Sequence, residues 1–135
     1  MSLSEQQVDE LVAAAKAIRE KAYAPYSNFL VGAAILAGGR IFVGCNVENS
    51  SYGESICAEQ NAATTAVAEG ALAFDAVAVV GSADAPTPPC GACRQVLSEF
   101  GPDMVVVVET MDGRRETWTM GDILPHAFGP EFLHD

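Results

Sequence analysis

Positive charge is scarce in this sequence: seven lysines and arginines stand against eighteen aspartates and glutamates, a formal net charge of -11. Such a surface repels a phosphate backbone wherever salt does not screen it, which argues against a nucleic acid partner. Long apolar runs are missing too. None approaches the roughly 18 residues that a membrane-spanning helix needs, so no membrane partner is expected. The opening "MSLSEQQVDELVAAAKAIREK" carries acids early, with no basic start ahead of an apolar segment, and does not read as a signal peptide. Cysteine occupies only four positions and histidine two. Disulfide scaffolds belong to smaller, loop-rich chains, whereas half of these 135 residues are apolar and can bury a core without staples. A single domain over 1–135 in a reducing cytoplasm is the expectation, its thiols free or metal-bound.

Apolar residues at Val8, Leu11, Val12, Ala15 and Ile18 recur at helical spacing, and Ser4 with Gln7 can form a capping box ahead of them. "YAPYSN" ends that helix, and the runs on either side of Gly38 and Gly39 read as a β-hairpin. After the loop "ENSSYGESI", an alanine-rich helix is expected from about Cys57 to Glu69, stopped by Gly70. "FDAVAVVG" reads as a buried strand, "ADAPTPP" as a rigid loop, "CGACRQVLSEFG" as a helix closed by Gly101, and "MVVVVET" as an interior strand. A turn at Asp112 and Gly113 leads to an edge strand, and short helical turns follow. The order α-β-β-α-β-α-β-β-α predicts one mixed sheet with helices on its faces.

On this layout Cys57 and Cys90 each open a helix, and Cys93 lies one turn beyond Cys90 on the same face. Helix N-termini favour the thiolate, the form that binds metal, and zinc suits sulfur ligands in tetrahedral geometry. Neither His126 nor His134 has a ligand partner near it in sequence, so three protein ligands leave a fourth position open. Glu59, two residues after Cys57, then falls close to the metal without ligating it, where a carboxylate can move protons between water and a substrate nitrogen. Taken singly, each piece has a plainer reading. Glu59 suits a first helical turn, Asn46 and Glu48 suit loop caps, and Phe29 and Phe128 suit a core. Cys45 reads as a small buried hydrophobe, and the two histidines as surface or satisfied groups.

The combination "CAE" with "PCGAC" matches the zinc deaminase pattern of three Cys or His ligands and a separate glutamate. With "YAPYSNFLVGAA", "GCNVENSSYGESICAE", "PCGACRQVLSEF" and "ILPHAFGP" in order along nearly the whole chain, the sequence resembles the cytidine deaminase family in its small homotetrameric form. The resemblance implies an α/β fold, a three-layer α/β/α sandwich with a mixed five-stranded sheet. It also implies one Zn2+ per subunit on Cys57, Cys90 and Cys93, with Glu59 catalytic. Asn46 and Glu48 would meet ribose hydroxyls, Phe29 the pyrimidine ring, and the Ala58 backbone the base. Ser50, Tyr52 and Phe128 match positions that reach a neighbouring subunit's pocket. The expected reaction is hydrolytic deamination of cytidine and 2'-deoxycytidine in pyrimidine salvage.

Many members of that family have an arginine directly after the glutamate, donating to the metal thiolates; here the residue is Gln60. Three thiolates on zinc carry a formal charge of about -1, so compensation is needed, and Arg94 with the two helix dipoles is expected to supply it. If Asn46 and Glu48 were left unpaired without a sugar, the site would reject a bare base strongly. Deaminases of cytosine-nucleoside antibiotics share the metal set, but "NVEN" favours the plain nucleoside. Polynucleotide and tRNA-adenosine deaminases are disfavoured by charge and by Cys57 in place of histidine. A zinc-stabilised interaction domain would require a fourth ligand.

Overall fold

A computed structural model describes residues 3–133 of the chain. Ser4 and Gln7 form the expected reciprocal cap, and the helix they start, α1 (Glu5–Arg19), buries Leu11, Val12 and Ala15. The next two apolar runs are β1 (Gly32–Ala37) and β2 (Arg40–Cys45), antiparallel with Ala37 opposite Arg40. Gly38 and Gly39 have φ of 57° and 80°, the left-handed pair that a two-residue hairpin turn demands. Then come α2 (Ala58–Ala68), β3 (Ala76–Val80), α3 (Gly91–Phe100), β4 (Val105–Glu109), β5 (Arg115–Thr119) and the single turn α4 (Met120–Ile123). A 3-10 turn at Tyr52–Glu54 lies in the loop that the sequence pattern left without structure, and another at Pro130–Phe132 is one of the short helical turns expected after β5. Among the described residues no helix is long and apolar enough to cross a membrane.

The strands align as β2-β1-β3-β4-β5, with β3 and β4 parallel and the other neighbours antiparallel. Strand alternation sorts the core into two layers. Ala33, Ile35, Val77, Val79, Val106 and Val108 face the alanines of α2 and Leu97 of α3. Ala34, Leu36, Ala76, Ala78, Val80 and Val107 face Leu11, Val12 and Ala15 of α1. Helices on both faces of a mixed five-stranded sheet make the α/β/α sandwich that was expected.

Two glycines let the helices approach the hairpin closely. A Cβ at Gly44 would lie 2.3 Å from the Ala62 nitrogen and 2.8 Å from the Ala58 carbonyl oxygen in α2, and one at Gly32 would lie 2.0 Å from the Ala15 carbonyl oxygen in α1. At the far end of β4, Glu109 is 6% exposed and held by Lys16 at 2.7 Å and Arg115 at 2.8 Å. Burial alone would raise its carboxyl, but the bonds from Lys16 and Arg115 outweigh it and hold the group below its ordinary value.

Two stability measurements check this packing. Gly44→Ala is expected to lower unfolding stability by about 1–3 kcal/mol through overpacking, read as a shift in denaturant midpoint. Glu109→Gln should cost about 1–3 kcal/mol at pH 7, where a charged hydrogen-bonded network is lost. Because the folded carboxyl titrates below its unfolded value, that stabilisation is full above the ordinary value of 4.5 and disappears as pH falls through the folded one. The gap between variant and parent should therefore close in melts run at progressively lower pH.

Candidate metal centre and active site

Cys57 is the N-cap residue of α2, Cys90 is the N-cap of α3, and Cys93 sits in the first turn of α3. Their sulfurs lie within 4.8 Å of one another, and those of Cys90 and Cys93 are 3.3 Å apart. A tetrahedral site with Zn–S bonds of roughly 2.3 Å places sulfurs about 3.8 Å apart, so this donor set fits zinc. Among the described residues no fourth histidine, cysteine or carboxylate joins the group. His126 is exposed on the surface. His134 lies outside the described residues. The hydrogen bond from Cys93 lowers the Cys57 thiol to about 7, against burial and the Glu59 charge. Cys93 itself is pushed up, chiefly by that same bond to Cys57 and by burial.

Glu59 follows in the first turn of α2 and is 6% exposed, so burial raises its carboxyl above the ordinary range. The next residue, Gln60, directs its Nε2 at Cys93 Sγ from 3.8 Å. Among the described residues Arg94 donates no hydrogen bond to a sulfur. Its Nε donates to the Pro89 carbonyl at 2.7 Å and its Nη1 to the Ile123 carbonyl at 2.7 Å, so it braces backbone rather than sulfur. The cause is helical geometry: a residue next to Cys93 in α3 points to a different face from the thiolate.

A cavity of about 360 Å³ opens beside the sulfurs, and Phe29, Asn46, Glu48, Ala58 and Glu59 all line it together with the three cysteines. The two polar residues after β2 are not left bare by the lack of a sugar. Asn46 Oδ1 accepts from Val31 N–H at 2.9 Å, and its Nδ2 donates to the Phe29 carbonyl at 2.8 Å. Glu48 accepts from the Tyr26 and Ser27 amides at 3.0 and 3.2 Å and from the Ser27 hydroxyl, and the hydroxyl bond chiefly holds its carboxyl below the ordinary range. Selection against a bare base by orphaned groups therefore fails as an argument, because the segment 26–31 already satisfies both side chains. What the bonds do instead is fix where they point.

Ser50, Tyr52 and Phe128 are not brought to this cavity. Tyr52 is 74% exposed with its ring 5.7 Å from Tyr26, and Phe128 is 58% exposed beside Phe132. Cys45 is only half-buried, and its carbonyl accepts from Asn61 Nδ2 at 2.7 Å. The walls that sequence reasoning missed are Val79, Gly81 and Val108, at the carboxyl ends of the parallel pair β3 and β4, and the loop that follows β3. Ligands collect at such strand ends in α/β sheets, and that rule is the signal by which they could have been found.

Comparison with known proteins agrees with this geometry. The model of the cytidine and deoxycytidylate deaminase zinc-binding region matches residues 5–109. The cytidine deaminase of Sporosarcina psychrophila is 48% identical over 128 residues, covering 93% of this chain and 94% of the relative. The crystal structure of cytidine deaminase from Burkholderia pseudomallei superposes with a TM-score of 0.86 at 51% identity, covering 93% of this chain and all of that one. The Mycobacterium tuberculosis cytidine deaminase structure gives a TM-score of 0.78 at 39% identity over 90% of this chain and 97% of that one. A two-helix thiol cluster fit for zinc, carried on this sheet and matched over most of its length, places the chain in the cytidine and deoxycytidylate deaminase family of zinc-dependent hydrolases.

Proposed function

We propose that this enzyme hydrolyses cytidine and 2'-deoxycytidine to uridine and 2'-deoxyuridine with release of ammonia, and that it serves pyrimidine salvage in the cytoplasm. The observation that carries the reading is Glu59: a buried carboxylate, not one of the three clustered ligands, facing the same cavity as the sulfurs. Zinc held by Cys57, Cys90 and Cys93 supplies a polarised water when bound. Glu59 moves its proton. The carboxylate takes one proton of the water as its oxygen joins C4 of the cytosine and passes it to N3; it then takes the second from the C4 hydroxyl and delivers it to the exocyclic amino group, so the carbonyl forms as the C4–N bond breaks and ammonia leaves. Burial suits Glu59 to this task, since a carboxyl of raised basicity accepts and returns a proton with less imbalance.

In this reading Phe29 offers its ring to the pyrimidine, the Ala58 backbone meets the base, and Asn46 and Glu48 face the sugar hydroxyls. The network across 26–31 supports that last role by holding both side chains in place before the nucleoside arrives. Ser50, Tyr52 and Phe128 would complete a neighbouring copy's site in a homotetramer with one zinc per subunit. Their exposure on the single chain leaves them free for such contacts.

The family also takes in deoxycytidylate deaminases, and the cavity's charge separates the two substrate classes. Its ionisable lining groups besides the thiols are Glu48, Glu59 and Glu109, with no lysine, arginine or histidine among the described residues there. A 5'-phosphate would have no cation to meet, and Glu48 would repel it. The nucleoside is favoured over the nucleotide.

Glu59→Gln should keep its zinc by metal analysis while losing about 10²–10⁴-fold of the fall in ultraviolet absorbance that cytidine shows on deamination. Full activity in that variant would remove the glutamate from the mechanism. Cytidine 5'-monophosphate should be turned over at least about 100-fold less efficiently than cytidine, the penalty of like charges brought together. Equal kcat/KM for the two would overturn the charge argument.

A further inference from the structure

The segment 82–89, "SADAPTPP", forms one wall of the cavity through Ala83, Ala85, Thr87, Pro88 and Pro89. Among the described residues it makes no main-chain to main-chain hydrogen bond. Its three prolines have no N–H to donate, and it belongs to no helix or strand. Such a wall must be held by side chains. Arg19 Nη2 donates to Ser82 Oγ at 2.8 Å, and that oxygen also meets the Leu30 amide and carbonyl at 3.1 Å each, tying the start of the loop to the residue after Phe29. Arg114 Nη2 donates to the Asp84 carbonyl in the middle, and Arg94 holds the Pro89 carbonyl at the end. Three of the five arginines in an acidic chain converge on one eight-residue loop.

We propose that Arg19 and Arg114 are positioning residues for this wall, setting through the loop's own oxygens how closely it meets a bound nucleoside. Neither lines the cavity. Arg114 is aimed from the β4–β5 turn: its Nε pairs with Asp112 at 3.3 Å and its amide donates to Thr110 Oγ1 at 3.0 Å. The coupling to substrate rests on the cavity being the nucleoside site, as argued above. The wall touches substrate and transition state alike, so loosening it removes uniform binding. That loss appears in KM and leaves kcat in place.

The test uses zinc-loaded protein. The order of the Ser82, Ala83, Asp84, Ala85 and Thr87 amides is followed by 15N relaxation without nucleoside, and steady-state kinetics are run on cytidine, for Arg114→Ala, Arg114→Lys and Ser82→Ala. Arg114→Ala should lower the order parameters of these amides, raise KM about five- to tenfold as one charge-assisted hydrogen bond is lost, and keep kcat within about twofold. Arg114→Lys should recover part of both changes, and Ser82→Ala should repeat the same split from the other end. Parental order parameters in Arg114→Ala, or lowered ones with unchanged KM, would overturn the proposal. So would a fall in kcat that tracks a lowered melting temperature, the mark of general destabilisation. Parent protein that leaves cytidine untouched would instead sink the substrate reading, and the relaxation arm, which needs no substrate, would still decide whether Arg114 holds the loop.

Discussion

Two helix N-termini meet above the ends of β3 and β4 because α2 packs on β2 with almost no side-chain bulk between them. Alanines 58, 62, 63 and 66 form the buried face of α2, and Gly44 leaves the strand bare where the helix backbone passes. That contact sets the height of Cys57 above the sheet, and the parallel β3–α3–β4 crossover independently sets Cys90 and Cys93. The cluster exists only if both placements agree within the span of a metal–sulfur bond. Close packing of small residues, rather than any feature of the cysteines themselves, is what the site rests on.

Charge at the site is handled locally. Three sulfurs and a buried glutamate concentrate negative potential in a chain that is already acidic. The N-terminal ends of α2 and α3 and the neutral amide of Gln60 face the sulfurs, while most of the cations bond backbone or carboxylates. Arg19 and Arg94 hold loop ends, Arg114 a loop centre, and Arg115 with Lys16 the buried Glu109. A scarce residue type is thus used where one fork of donors can satisfy several oxygens at once.

Local signals in the sequence were read well. The cap at Ser4, the Gly38–Gly39 turn, the helix starts at Cys57 and Cys90, and the element order all depend on neighbours within a few residues, and the structure has them. The cavity lining was only half legible. Phe29, Asn46, Glu48 and Ala58 could be placed from the family resemblance, but Val79, Gly81 and Val108 look like ordinary strand residues until the strands are ordered. Arg94 bonds backbone carbonyls instead of sulfur because adjacency in sequence is not adjacency on a helix. The ties from Arg19 to Ser82 and from Arg114 to Asp84 span 63 and 30 positions, a separation at which no single-sequence pattern carries information.

On one flank the sheet ends at β5, five residues whose side chains are largely solvated and include Arg115 and Glu116. A short outer strand that opens on two charged residues is a poor template for another extended segment. Growth by strand addition from that side is disfavoured, which lends crowded solutions some protection from fibrous stacking.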